Sequence, residues 1–138
     1  MKYFFHQTVN GDFEEISNRT RDLLKTHGFG VLTEINLDQA FKEKLGVDFK
    51  RYRILGACNP NFAYQALQQE DKLGVFLPCN VLVIEQGPQE VEIVAVDPVA
   101  AMSAVHNPQI GPMATEVQAI LQQMVSELGN GTPQSSPQ

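Results

Sequence analysis

The chain has 138 residues, 43% of them hydrophobic and 19% charged, enough to bury one core without disulfides or a structural metal. Its 16 acidic residues outweigh 10 basic ones, for a formal net charge of -6; this argues against nucleic acid and anionic membranes as partners, whose affinity comes from clustered positive charge. Apolar runs are too short for a membrane-spanning helix, and Met1–Val9 lacks the apolar middle and cleavage site of a secretory signal, so the two cysteines are expected as reduced thiols in the cytoplasm.

The first strand is predicted over Lys2–Thr8, where Tyr3, Phe4 and Phe5 favour extended backbone and Asn10-Gly11 supplies the turn. Asp12 then stands as an N-cap, with Glu14 and Glu15 in the first turn of a helix that ends at Gly28. Phe13, Ile16, Thr20, Leu23 and Leu24 share one face of it. Phe29–Ile35 reads as a strand, Leu37–Lys44 as a helix ended by Gly46, and Lys50–Cys58 as a strand. Asn59 caps a further helix, opened by Pro60 and running to about Gln69.

Val81–Glu85 and Glu90–Val96 are strands joined through Gln86-Gly87-Pro88, a connection so short that it requires an antiparallel hairpin. Asp97-Pro98 starts a short helix to about Val105, and Asn107-Pro108 and Gly111-Pro112 mark a loop. Val117, Ile120, Leu121, Met124, Val125 and Leu128 stripe a last helix, stopped at Gly129. Residues 1–128 therefore form one domain, and 129–138, built of Gly, Ser, Pro and Gln, are expected to be a disordered tail.

Two long amphipathic helices over one face of a mostly antiparallel sheet are the economical arrangement, a two-layer α+β fold. Val81–Ile84 is apolar on both faces and belongs at the sheet centre. The uncovered face mixes apolar and charged residues, which points to a binding surface or, preferably, a homodimer contact.

Cys58 is the first candidate for chemistry. It ends a strand just before Asn59 and Pro60, where a helix N-terminus favours a thiolate and its N–H groups offer a cradle to a small anion. Cys79, between Pro78 and Asn80, starts the central strand. In an antiparallel pairing, the one expected, both sulfurs fall at one edge of the sheet, where they approach each other or line one pocket, whereas a parallel pairing puts them at opposite edges; against both stands the plainer reading that the thiols are small core hydrophobes.

Five of the ten basic residues, Lys42, Lys44, Lys50, Arg51 and Arg53, lie close together and make a secondary anion patch; the plainer reading pairs Arg51 or Arg53 with Glu34 across strands. Glu14, Glu15, Glu116 and Glu127 read as solvated helix faces. His6, His27 and His106 are scattered, and two cysteines alone do not make a zinc site, so no metal and no cofactor are expected. Gly28-Phe29-Gly30 precedes a strand and is no dinucleotide fingerprint, and no catalytic constellation appears.

The strings GFGVLTEINL (Gly28–Leu37), KLG (Lys44–Gly46), YRILGACNP (Tyr52–Pro60), LPCNVLV (Leu77–Val83) and VDPVAAM (Val96–Met102) resemble the signature of the domain of unknown function 302 family. The resemblance runs in order from about Phe4 to Leu128. It implies a small bacterial or archaeal domain, a TATA-binding-protein-like order of strand, helix, four strands and helix, and a homodimer. It supplies no catalytic residue, but marks Cys58, Asn59, Pro60, Pro78, Cys79 and Asn80 as family motif positions. The reading that results is a cytoplasmic homodimer holding a small anionic or thiol-reactive ligand near the cysteines. The alternative is a structural or regulatory dimer using its open sheet face, with both thiols packed.

Overall fold

In the computed structural model, which describes residues 2–130, the expected alternation of strands and helices builds one five-stranded sheet. β1 (Phe4–Asn10) leads into α1 (Phe13–Thr26), and β2 (Gly30–Asn36) into α2 (Leu37–Leu45). β3 (Tyr52–Cys58) is followed by α3 (Pro60–Gln69) and a 3-10 helix (Asp71–Phe76). β4 (Cys79–Gly87) and β5 (Glu90–Val96) form the hairpin, and α4 (Pro98–Ala101) precedes the long α5 (Ile110–Asn130). The spatial order is β1-β5-β4-β3-β2 with every neighbouring pair antiparallel. β4 holds the centre, as its apolar faces demand.

Polar side chains start the helices where the sequence places them. Asp12 accepts from the backbone N–H groups of Glu14 and Glu15 at 3.1 Å each, Asn59 from Phe62, and Asp97 from Val99 and Ala100. Each satisfies N–H groups that a helix start leaves without a partner.

Strand alternation then sorts the two layers. Val91, Ile93 and Ala95 of β5 are buried under the helices, while Glu92 and Val94 turn the other way. Phe13, Ile16 and Leu24 of α1 and Leu121, Met124 and Leu128 of α5 meet Leu55, Val83 and Ile93 in one core. On the outer face the register sets Ile35, Ile54, Leu82, Val94 and His6 in one row across all five strands. Phe41, Phe49 and Tyr52 continue that face as a chain of ring contacts, 5.3 and 6.2 Å between centroids.

Several boundaries differ from expectation. Gly129 does not stop α5, which continues to Asn130. A Cβ at Gly129 would collide with the Gln7 side chain of β1, so the glycine lets helix and strand lie close together. The expected tail thus loses its first two positions to the helix, and its remainder, 131–138, lies outside the described residues. Gly111-Pro112 is not a loop but the first turn of α5, where a proline's missing N–H breaks no helical bond. α4 ends at Ala101 and not near Val105. Asp71–Phe76, which carries no periodic signal, forms the 3-10 helix and buries Leu73.

Candidate functional site

Cys79 stands opposite Ala57 in the β3–β4 register, so Cys58, the next residue, is its diagonal neighbour at the same sheet edge. Both are free thiols, and both line one cavity. Chain connectivity builds its walls. α3 starts directly after Cys58 and folds Phe62 and Ala66 over the strand end, and the 3-10 helix adds Leu73 on the way back to β4. Met102, after α4, and Met113, in the first turns of α5, complete the opposite side.

The cavity lies between the main core and a second cluster around Ala66, Leu73 and Ile110. Its volume is about 50 Å³, and besides the two thiols Asn59 is the one polar side chain among its described lining residues.

That environment reverses one expectation. Burial pushes the Cys58 thiol up, and burial with a contribution from Cys58 pushes Cys79 up to about 11. Both therefore stand as thiols at neutral pH, because burial disfavours the charged thiolate. Of the N–H groups expected to cradle an anion at the start of α3, two are taken within the helix cap. Pro60 has no N–H, that of Phe62 is taken by Asn59 Oδ1 at 3.3 Å, and that of Ala63 by the Asn59 carbonyl at 2.9 Å.

Of the other motif positions, Asn59 lines the cavity beside the cysteines. Pro78 and Asn80 line an adjoining open groove that also touches Cys79 and Met102. Pro60 opens α3 and is not among the described lining residues of either. Pro78, after a cis peptide, covers Gly56. A Cβ there would come within 2.8 Å of Pro78 Cγ and would strike Thr33 of β2.

The secondary anion patch is a different structure from the one expected. Arg53 points inward and is 7% exposed. It donates to Glu14 at 2.9 and 3.1 Å, to Ser17 at 3.1 Å and to Asn36 at 2.7 Å. Arg51 pairs with the same Glu14 carboxylate and lies 4.2 Å from the centre of the Phe13 ring. The Arg53 hydrogen bond, with help from Arg51, holds the Glu14 carboxyl down to about 2. Lys50 bonds Gln86 at 3.1 Å. Glu34 takes Arg21, at 2.6 and 2.9 Å, and not Arg51 or Arg53. Arg51 and Arg53 thus share one carboxylate, at the opposite end of β3 from the cysteines.

Two carboxylates expected to be merely solvated are therefore paired: Glu14, and Glu127, which binds His27 at 2.9 Å. The hydrogen bond from Gln123, then that from His27, lowers the Glu127 carboxyl. Sequence reading also missed Met102 and Met113 as lining residues. Met102 closes the quoted VDPVAAM string, but nothing in the spacing of Met113 points to the site.

Residues 5–128 match the family model described as "Domain of unknown function DUF302". A solved structure titled "Crystal structure of uncharacterized conserved protein DUF302 from Bacillus stearothermophilus" is similar at 26% sequence identity and a TM-score of 0.85, over 93% of this chain and 99% of that one. No curated protein matches.

Proposed function

The chain belongs to the DUF302 family, whose name assigns no activity, and on that footing we propose that it is a cytoplasmic binding protein for a small thiol-reactive ligand, held at the cavity of Cys58 and Cys79. The observation that carries this reading is that two free thiols, from two strands, line one apolar cavity. The anionic half of the expectation is not carried forward, since the walls are apolar and no cationic side chain stands among the described lining residues. A reducing compartment keeps both thiols available.

Cys58, half-buried, is the first contact, and Cys79, 7% exposed, is its inner neighbour. Methyl methanethiosulfonate, a small thiol-specific reagent, is the probe. It is expected to modify Cys58 in the folded protein faster than Cys79, and Cys58→Ala is expected to abolish the fast phase. Two thiols that react only after unfolding would refute a ligand site.

A second reading has its own observation. The outer sheet face carries half-buried Ile54, Leu82 and Val94 beside Ile35, which is 47% exposed. This apolar row supports a homodimer through that face, within the TATA-binding-protein-like arrangement that the resemblance implies and without nucleic acid. Light scattering is expected to give twice the chain mass, reduced to one by Leu82→Glu. A single chain mass for the unaltered protein at all concentrations would end this reading.

A further inference from the structure

The chain holds six sulfur-bearing side chains, two cysteines and four methionines. Four of them, Cys58, Cys79, Met102 and Met113, line the same cavity, although they come from four separate places in the sequence: the end of β3, the start of β4, the turn after α4 and the beginning of α5. No carboxylate, imidazole, guanidinium or ammonium stands among the described lining residues. A set of thiols and thioethers in which the one other polar side chain is the neutral amide of Asn59, already bonded to the Phe62 N–H, is selective. Hard cations such as Mg(II) and Ca(II) need oxygen ligands, and borderline Zn(II) sites are completed by further thiolates, imidazole or carboxylate. Soft sulfur favours monovalent copper.

We propose that this cavity is a Cu(I) site, with Cys58 and Cys79 supplying sulfur at the sheet edge and Met102 and Met113 closing the set from the helical side. The inference rests on the reading of the cavity as a thiol-ligand site and names its ligand. Charge fits the surroundings. Cu(I) bound to one thiolate and neutral thioethers carries no net charge, the form that an apolar enclosure burdens least. Binding is an exchange without electron transfer. A Cu–S bond replaces the S–H bond of each cysteine that deprotonates, the sulfur lone pair goes to the metal, and the proton leaves to solvent.

The test uses the full chain, reduced and kept free of oxygen, titrated with Cu(I) against the chromophoric chelator bicinchoninate. One Cu(I) per chain is expected to be withdrawn from the chelator. Met102→Leu and Met113→Leu preserve volume and apolarity and so preserve the fold. Each is expected to weaken retention at least about tenfold, equivalent to about 1.4 kcal/mol. Cys58→Ser is expected to remove the site. Retention unchanged in both methionine variants would overturn the four-sulfur site. No retention by a protein whose Cys58 still reacts with methyl methanethiosulfonate would overturn the copper assignment while leaving the thiol-ligand reading standing. Failure of both measurements would remove the two together.

Discussion

Replacing Arg53 by methionine tests whether the inward guanidinium is part of the fold or an open anion patch. Methionine keeps most of the apolar stem, so the loss is confined to the charged hydrogen bonds with Glu14, Ser17 and Asn36. Such bonds contribute about 1.5–3 kcal/mol, and a buried hydroxyl left unpaired costs about 1–3 kcal/mol. Ser17 is fully buried and is the group left exposed to that penalty. The Glu14 side chain is 50% exposed and retains Arg51, so its share is small. The expected loss is about 2–3 kcal/mol in urea unfolding with an unchanged denaturant slope, and a fall in Tm of about 10 °C. Glu14→Gln alone is expected to cost about 1 kcal/mol, and the double variant less than the sum, because the two residues share bonds. A loss below about 0.5 kcal/mol for Arg53→Met, with no coupling to Glu14, would refute the argument.

Other consequences follow from the same geometry. Gly56→Ala places a methyl against Pro78 and Thr33 and is expected to cost about 1–3 kcal/mol by denaturant unfolding; an unchanged midpoint would show that these neighbours yield freely. Gly129→Ala is expected to destabilise even though alanine is favoured in a helix by about 1 kcal/mol, and Gln7→Ala is expected to reverse the sign by removing the obstruction. Because Glu14 is held below its ordinary range, at about 2, its contribution is complete above pH 4.5 and is lost as pH falls toward 2. Half exposure limits it to about 1 kcal/mol, and Glu14→Gln is expected to flatten that part of the stability profile. Since burial raises the Cys58 thiol, its alkylation by iodoacetamide is expected to quicken with pH and still be climbing at pH 9; a plateau near neutrality would contradict the desolvated environment.

The fold was legible where local chemistry and tertiary burial agree. Asp12, Asn59 and Asp97 cap as their position before a helix predicts, and the apolar stripes of α1 and α5 face the sheet. Asp71–Phe76 was not legible, because a 3-10 helix has little periodicity and is held by Leu73 reaching a distant cluster. Gly129 misled because a helix stop and a close approach leave the same residue in the sequence. The cysteine edge followed from antiparallel pairing, but the protonation of its thiols did not, since desolvation depends on Phe62, Leu73 and the two methionines arriving from elsewhere. Arg53 misled for a related reason: strand alternation assigns it a face, and only Glu14 on α1 reveals that this face is the inner one.

The sheet order has a consequence for how the chain is made. β1 is synthesised first, yet its hydrogen-bonding neighbour is β5, with Phe4 facing Val96. At ribosomal speeds of about 5–20 residues per second, the opening strand waits on the order of ten seconds before its partner exists. Throughout that interval Phe4, Phe5 and Val9 have no native strand beside them, and α5, which covers Phe5 and Val9 on the inner side, emerges later still. The nascent domain is thus most exposed to premature self-association at β1, and the hairpin of β4 and β5 is the event that relieves it.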